Sequence, residues 1–337
     1  MLMDKSTIEN HVNDVLKATD FSELGERKQG KVRDVYIQPD RLILIATDRY
    51  SAFDRNLALI PFKGQVLTEI SKFWFEKTEN IIRNHILDFP DSNVMVVKKC
   101  DVVPVEVIVR GYISGVTATS TWTLYQKGER KFGGITLPEG MKKNQKFAHP
   151  IITPTTKFEA HDRPLVREDI VKGGFVKEPL WKEIEEVAIK LFLRGQEIAL
   201  QRGLILVDTK YEFGTDFEGK LMLIDEIHTP DSSRYWPAFA KATADKQAES
   251  YESRIAQGQE PENFDKEFLR IWFKEHCDPY KDEVLPEPPR EMVVELSWRY
   301  IQIFEQLTGN EFKADFSMPV LERIRKNLAA YASGKSN

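Results

Sequence analysis

Asp208, Lys210 and Glu212 occupy alternate positions in an otherwise apolar run, Leu204-Ile205-Leu206-Val207-Asp208-Thr209-Lys210-Tyr211-Glu212-Phe213. Successive side chains of a strand point to opposite faces. Leu204, Leu206, Asp208, Lys210 and Glu212 therefore share one face, and Ile205, Val207, Thr209, Tyr211 and Phe213 the other. Gly214 to Gly219 is turn-forming, and Lys220 to Ile227 is apolar enough to return as a second strand carrying Asp225. Folded about that turn, the hairpin is expected to place Asp225 opposite Asp208, give or take a residue of register. Three carboxylates and one ammonium then share a small patch. Two unit charges about 4 Å apart repel by roughly 4 kcal/mol at an effective dielectric of ~20. A divalent cation, a proton or an ammonium partner relieves that repulsion. A solvated sheet face shows the same polar alternation. Here, however, the charges begin where Leu204 and Leu206 end, and the hairpin runs into Thr229-Pro230-Asp231-Ser232-Ser233-Arg234. Hydroxyls and a carboxylate beside an arginine suit a loop that holds an anion against a metal.

Three further stretches carry chemistry. Gly30-Lys31-Val32-Arg33 sets a glycine beside two cations, as a phosphate-covering loop does. A charged edge strand has the same composition. Neither the GxxxxGK[ST] loop nor GxGxxG is present there. Thr47 to Asp54 is a polar loop at a strand end, a frequent place for ligand contacts, and it contains Asp48 and Ser51. Arg110 leaves an apolar strand and enters the glycine-hydroxyl loop Gly111-Tyr112-Ile113-Ser114-Gly115-Val116-Thr117. There it can clamp a carboxylate or phosphate, or pair with Glu106 on its own strand face. The six histidines show no HxxxH spacing, so no histidine zinc site is expected.

Composition narrows the class. The 337 residues can bury a large core in one enlarged domain or two. With 41% hydrophobic and 30% charged residues, the chain falls in the soluble globular class. A net charge of -5 argues against a general nucleic-acid footprint. Cys100 and Cys277 lack metal-type spacing and fit a reducing compartment, so the cytoplasm is expected. No apolar run approaches the ~18 residues of a membrane span.

The elements that must position these residues can be read in order. Helices are expected over Ser6–Lys17, Gln65–Ile86 and Pro179–Arg202, then over Phe264–His276, Pro289–Thr308 and Pro319–Ala332. Strands are expected around Lys31–Tyr36, Leu42–Thr47, Met95–Val97 and Val102–Val109. Lys131–Arg163 reads as irregular, Lys241–Gln259 as a mobile insertion, and Ser333–Asn337 as a fraying tail.

Taken together, the segments Gly30 to Tyr36, Thr47 to Asp54, Val103 to Gly111, Leu206 to Gly214 and Asp225-Glu226 through Arg234 resemble the phosphoribosylaminoimidazole-succinocarboxamide synthase (SAICAR synthetase) family. Five motifs in order over Gly30 to Trp236 are far more specific than any one. The C-terminal third resembles the family's long form. Val116 departs from the pattern, standing where many members carry a serine, with Ser114 and Thr117 nearby.

The resemblance implies an α+β fold of two lobes, similar in outline to ATP-grasp and kinase folds. It has antiparallel sheets, an ATP cleft between the lobes and a helical C-terminal extension. The expected lobes are 1–103, with the phosphate-covering hairpin, and 104–337, with the metal and substrate site. The implied substrates are ATP, a carboxylated aminoimidazole ribotide and L-aspartate; the products are the succinocarboxamide, ADP and phosphate. No nucleic acid or membrane partner is implied, and the protein would be a monomer or homodimer. Lys31 and Arg33 would approach the ATP phosphates, with Lys98, Asp101 and Lys157 also on the nucleotide. Glu212 and Asp225 would hold Mg²⁺, while Asp208 and Lys210 order the reacting carboxylate. Arg110 and Arg234 would clamp the ribotide phosphate with Ser114 and Asp231 nearby, and Asp48 and Ser51 would line the substrate side. Another kinase-like small-molecule phosphotransferase is the alternative enzyme, although no HRD-type or DFG stretch is present. A nucleotide-binding module without catalysis is the third reading.

Overall fold

The computed structural model describes residues 3–159, 163–239 and 250–333. Its ladders are antiparallel and combine with helices in an α+β fold, as expected. Two compact units are distinguished. One comprises Met1–Glu76, His85–Cys100 and Phe268–Asn337; the other comprises Lys77–Asn84 and Asp101–Glu267.

The first unit is built on a five-stranded sheet in the order Glu26–Gln29, Arg33–Ile37, Arg41–Ala46, Val94–Lys98, Ile86–Asp91. The C-terminal helix Val320–Ala332 packs Ile324 and Leu328 against Ile43, Ile45, Val94 and Val96 of that sheet. Arg323 of the same helix donates two hydrogen bonds to Asp91, each at 3.1 Å. The first helix is shorter than its apolar pattern suggests, covering only Lys5–Asn10. Beyond it, the Leu16 N–H donates to the buried Asp48 carboxylate at 2.7 Å, a tertiary bond that an uninterrupted helix would not allow.

The second unit has the strand Leu204–Thr215 at its centre. Val105–Tyr112 and Ser233–Pro237 flank its first half, and Leu221–Ile224 and Asp101–Val102 its second. Nearly every residue of the strand is buried, which explains why apolar and β-branched residues fill both of its faces. On one side lies the helix Glu178–Gln201, entered through Pro179, with Trp181, Ile184, Leu191 and Ile198 buried. Gly195 allows the close approach: a Cβ there would stand 2.7 Å from Leu206 Cδ2 and 2.4 Å from His228 Cε1. Another cluster joins Ile205 and Val207 to Tyr112, Trp236 and Tyr251, with the Trp236 and Tyr251 rings stacked at 5.2 Å.

Four further expectations need correction. The helix expected over Gln65–Ile86 spans Lys63–Thr78, and Ile86 instead opens the strand Ile86–Asp91. Lys131–Arg163 is not wholly irregular, because Lys146–Ile152 pairs with Val105–Tyr112 and buries Phe147 and Ile151. Its proline and polar residues hide a strand whose partner is distant in sequence. The insertion expected at Lys241–Gln259 is folded where described, since Tyr251–Ala256 is a helix with Tyr251 buried; 240–249 lie outside the described residues. The tail from 334 lies outside them as well. Finally, Asp225 does not face Asp208. The hairpin pairs Glu212 with Ile224 and turns tightly at Asp216, whose Oδ1 accepts the Glu218 and Lys220 N–H groups. The return strand ends at Ile224, and Asp225 follows it at φ 65°.

Candidate functional site

Asp208 lies between two arginines supplied by neighbouring strands. Across one ladder its partner is Arg110, and across the other Arg234. Asp208 Oδ2 accepts from Arg234 Nη1 at 2.8 Å and from Arg110 Nη1 at 3.4 Å. Arg110 also donates through Nε to Thr153 Oγ1 at 2.8 Å. Arg110 pairs with Asp208 and not with Glu106, which turns to Lys210. Burial works against the charge of Arg234, but Asp208, Glu267 and Asp265 outweigh it and hold the guanidinium above its ordinary value. In Arg110 burial prevails over Asp208 and pulls the group down. These bonds fix the orientation of both planar guanidinium forks.

Two residues further along the strand, Lys210 Nζ donates to Glu106 at 2.9 Å and to Glu212 Oε1 at 2.5 Å. The other Glu212 oxygen pairs with Lys157. Charges therefore alternate through Glu106, Lys210, Glu212 and Lys157, and Asp225 adds its field to Lys210. Burial disfavours the Lys210 ammonium, but these carboxylates hold it well above its usual range. Burial likewise raises Glu212, yet Lys210 and Lys157 prevail and bring it down to about 2. The alternation of the strand accounts for two carboxylates, Asp208 and Glu212, and one ammonium, Lys210; Lys157 is the second cation that balances the patch. Among the described residues, no group of three or more His, Cys, Asp or Glu is disposed to hold a metal. The donors nevertheless suit Mg²⁺, which uses one or two carboxylates and completes its shell with water and phosphate oxygens. Glu212 and Asp225 are hard oxygen donors of that kind.

The remaining candidates are distributed as follows. In the second unit, Ser114 is buried and donates to Asn144 Oδ1 at 2.9 Å. Asp231 pairs with Lys266 at 2.9 Å, and Asp101 faces Thr215 on the strand edge. In the first unit, Lys31 pairs with Asp54 at 2.5 Å, Arg33 is buried on its strand, and Lys98 ends the strand Val94–Lys98 opposite Arg41. Asp48 accepts the Leu16 and Gly64 N–H groups, and burial pushes its carboxyl up to about 6 despite them. Ser51 is buried in the strand Arg49–Ala52. Site neighbours absent from the initial candidates are Glu106, Asp265, Lys266 and Glu267. Only Glu106 had a signal, its place on the Arg110 face.

Residues 26–287 match the family model described as SAICAR synthetase. A phosphoribosylaminoimidazole-succinocarboxamide synthase of Legionella pneumophila (strain Paris) is 54% identical over 305 residues, 90% of this chain and 95% of the relative. The chloroplastic enzyme of that name from Arabidopsis thaliana is 51% identical over 326 residues, 96% of this chain and 77% of the relative. Among solved structures, the SAICAR-synthase of Saccharomyces cerevisiae complexed with SAICAR superposes with a TM-score of 0.73 at 32% identity. That match covers 89% of this chain and 100% of the other. Among the described residues no helix is long and apolar enough to cross a membrane.

Proposed function

The chain belongs to the SAICAR synthetase family, and on that premise we propose how its residues perform the ATP-dependent joining of L-aspartate to the carboxylated aminoimidazole ribotide. A carboxylate resists attack by an amine. Its oxygen therefore attacks the γ-phosphorus of ATP, releasing ADP and forming an acyl phosphate. The aspartate amine then attacks the acyl carbon, the amide forms, and hydrogen phosphate departs with the proton that the nitrogen sheds. Protein groups position the reactants and neutralise phosphate charge in such a reaction.

The observation carrying this reading is the succession of two charge clusters centred on one strand, the Arg110–Asp208–Arg234 trio and the Lys210–Glu212–Lys157 chain. Arg110 and Arg234 are the ribotide phosphate clamp, with Ser114 and Asp231 beside it. Lys210, kept protonated, is a fixed positive charge toward the reacting carboxylate and not a base. Glu212 and Asp225 are the residues to hold Mg²⁺, which when bound neutralises charge on the nucleotide phosphates. Lys31, Arg33, Lys98, Asp101 and Lys157 are assigned to the nucleotide by the family motifs, and Asp48 and Ser51 to the substrate side. Cys100 and Cys277, two cysteines without metal-type spacing, support action in the cytoplasm, and the protein is assigned as a monomer or homodimer.

Heavy-oxygen labelling of the ribotide carboxylate tests this chemistry. Label should appear in the released phosphate. Unlabelled phosphate, with product still formed, excludes activation through a phosphorylated carboxylate.

A further inference from the structure

Asp265-Lys266-Glu267 lies outside every motif behind the functional reading, yet each side chain is tied to the surroundings of the arginine pair. Asp265 Oδ2 accepts the N–H of Tyr235, the residue after Arg234, at 3.0 Å. Lys266 pairs with Asp231. Glu267 reaches furthest: Oε1 accepts the Val116 N–H at 3.0 Å, and Oε2 stands 3.8 Å from Arg234 Nη2. Only 3% of Glu267 is exposed, so this carboxylate is not a rim charge. The loop it holds lies directly against the guanidinium. Gly115, at φ +104°, has Arg234 Nη2 only 3.2 Å from where a Cβ would be, and Ser120 Cβ at 2.6 Å.

We propose that Glu267 is a positioning residue for the ribotide phosphate, fixing the Gly115-Val116 turn and the Arg234 guanidinium in one arrangement. The inference rests on the reading of Arg234 as the phosphate clamp. Arg234 is engaged by Asp208 at Nη1 and faces Glu267 at Nη2, so its orientation is set from two sides. A main-chain turn has no side-chain hydroxyl at Val116 to direct toward a phosphate. Its contribution depends on where the backbone is held, and Glu267 holds it. Small displacements of such groups cost binding steeply.

Three variants of the full chain, Glu267→Ala, Glu267→Gln and Arg234→Lys, are compared in steady-state kinetics with each substrate varied in turn. Glutamine keeps an oxygen able to accept the Val116 N–H; alanine does not. Glu267→Ala should raise the ribotide KM about tenfold or more, the scale of a lost hydrogen bond to a charged group. The ATP and aspartate KM values should stay within about twofold, since uniform loss would mean general damage. Glu267→Gln should recover most of the ribotide loss. If Glu267→Ala does not fold, Glu267→Asp replaces it: one methylene shorter, it withdraws the acceptor and should raise the ribotide KM where glutamine does not. An unchanged ribotide KM in the alanine or aspartate variant overturns the proposal, as does a parallel loss toward all three substrates. Arg234→Lys separates the two levels. A raised ribotide KM there with none at Glu267 sinks only this inference, whereas no change at Arg234 removes the clamp and the inference together.

Discussion

Arg234 Nη1 donates to Asp208 Oδ2 at 2.8 Å from the residue directly across the ladder, while Arg110 opposes the same carboxylate from the strand on the other side. One carboxylate thus spaces two guanidiniums, that of Arg234 buried and that of Arg110 partly so. Removing a single partner from a buried ion pair typically costs about 3–5 kcal/mol, because the remaining charge is left uncompensated. Asp208→Asn should lose stability on that scale in urea unfolding, and the ribotide phosphate should raise its melting temperature more than that of the parent chain. An Asp208→Asn variant as stable as the parent would contradict the pairing.

The Lys210–Glu212–Lys157 chain makes a different demand. Without Lys157 the patch would be overly acidic, and an amide at 212 would relieve repulsion. With both ammonium groups on Glu212, the amide instead leaves two cations short of a partner. Glu212→Gln should therefore lower both stability and activity, and shift the Mg²⁺ requirement upward. Glu218, exposed in the turn and paired with Lys220, is the control, and Glu218→Gln should change neither. Matching Mg²⁺ response curves for the parent and Glu212→Gln would end the metal-ligand assignment.

Acid sensitivity has a specific source in His228. Burial lowers its pKa to about 3, against an ordinary value of 6.5, and its Nε2 lies 2.5 Å from the Tyr211 hydroxyl. The folded state keeps the ring neutral while the unfolded chain takes up a proton below pH ~6.5. Its contribution is therefore complete above that pH and is lost as pH falls toward 3, by at most about 1.4 kcal/mol per pH unit. Asp48 and Asp265 act in the opposite sense, since burial raises their carboxyls to about 6 and about 7. Urea midpoints between pH ~7.5 and ~5 should consequently fall less steeply on acidification in His228→Gln than in the parent. Identical slopes would show that the ring does not titrate on unfolding.

Much of this arrangement was legible because local pattern and tertiary role coincide. The helix Glu178–Gln201 announces itself through Pro179 and an apolar stripe, and the strand face of Asp208, Lys210 and Glu212 through alternation. What escaped depends on contacts distant in sequence. Lys157 meets Glu212, and Glu267 meets Val116, across separations that no periodicity encodes. Asp225 was misplaced because hairpin register follows the turn, and the Asp216 side chain makes that turn tighter than its glycines suggest. The strand Lys146–Ile152 was hidden by Pro150 and by polar neighbours that look like a loop until its partner Val105–Tyr112 is known.

ADP release with each of ATP, carboxylated ribotide and L-aspartate omitted in turn tests the ligase chemistry most directly. ADP should appear only when all three are present, apart from slow background hydrolysis, and in step with formation of the succinocarboxamide. Equal ADP release without aspartate, or release that depends on an alcohol acceptor in its place, would contradict amide synthesis as the reaction of this enzyme.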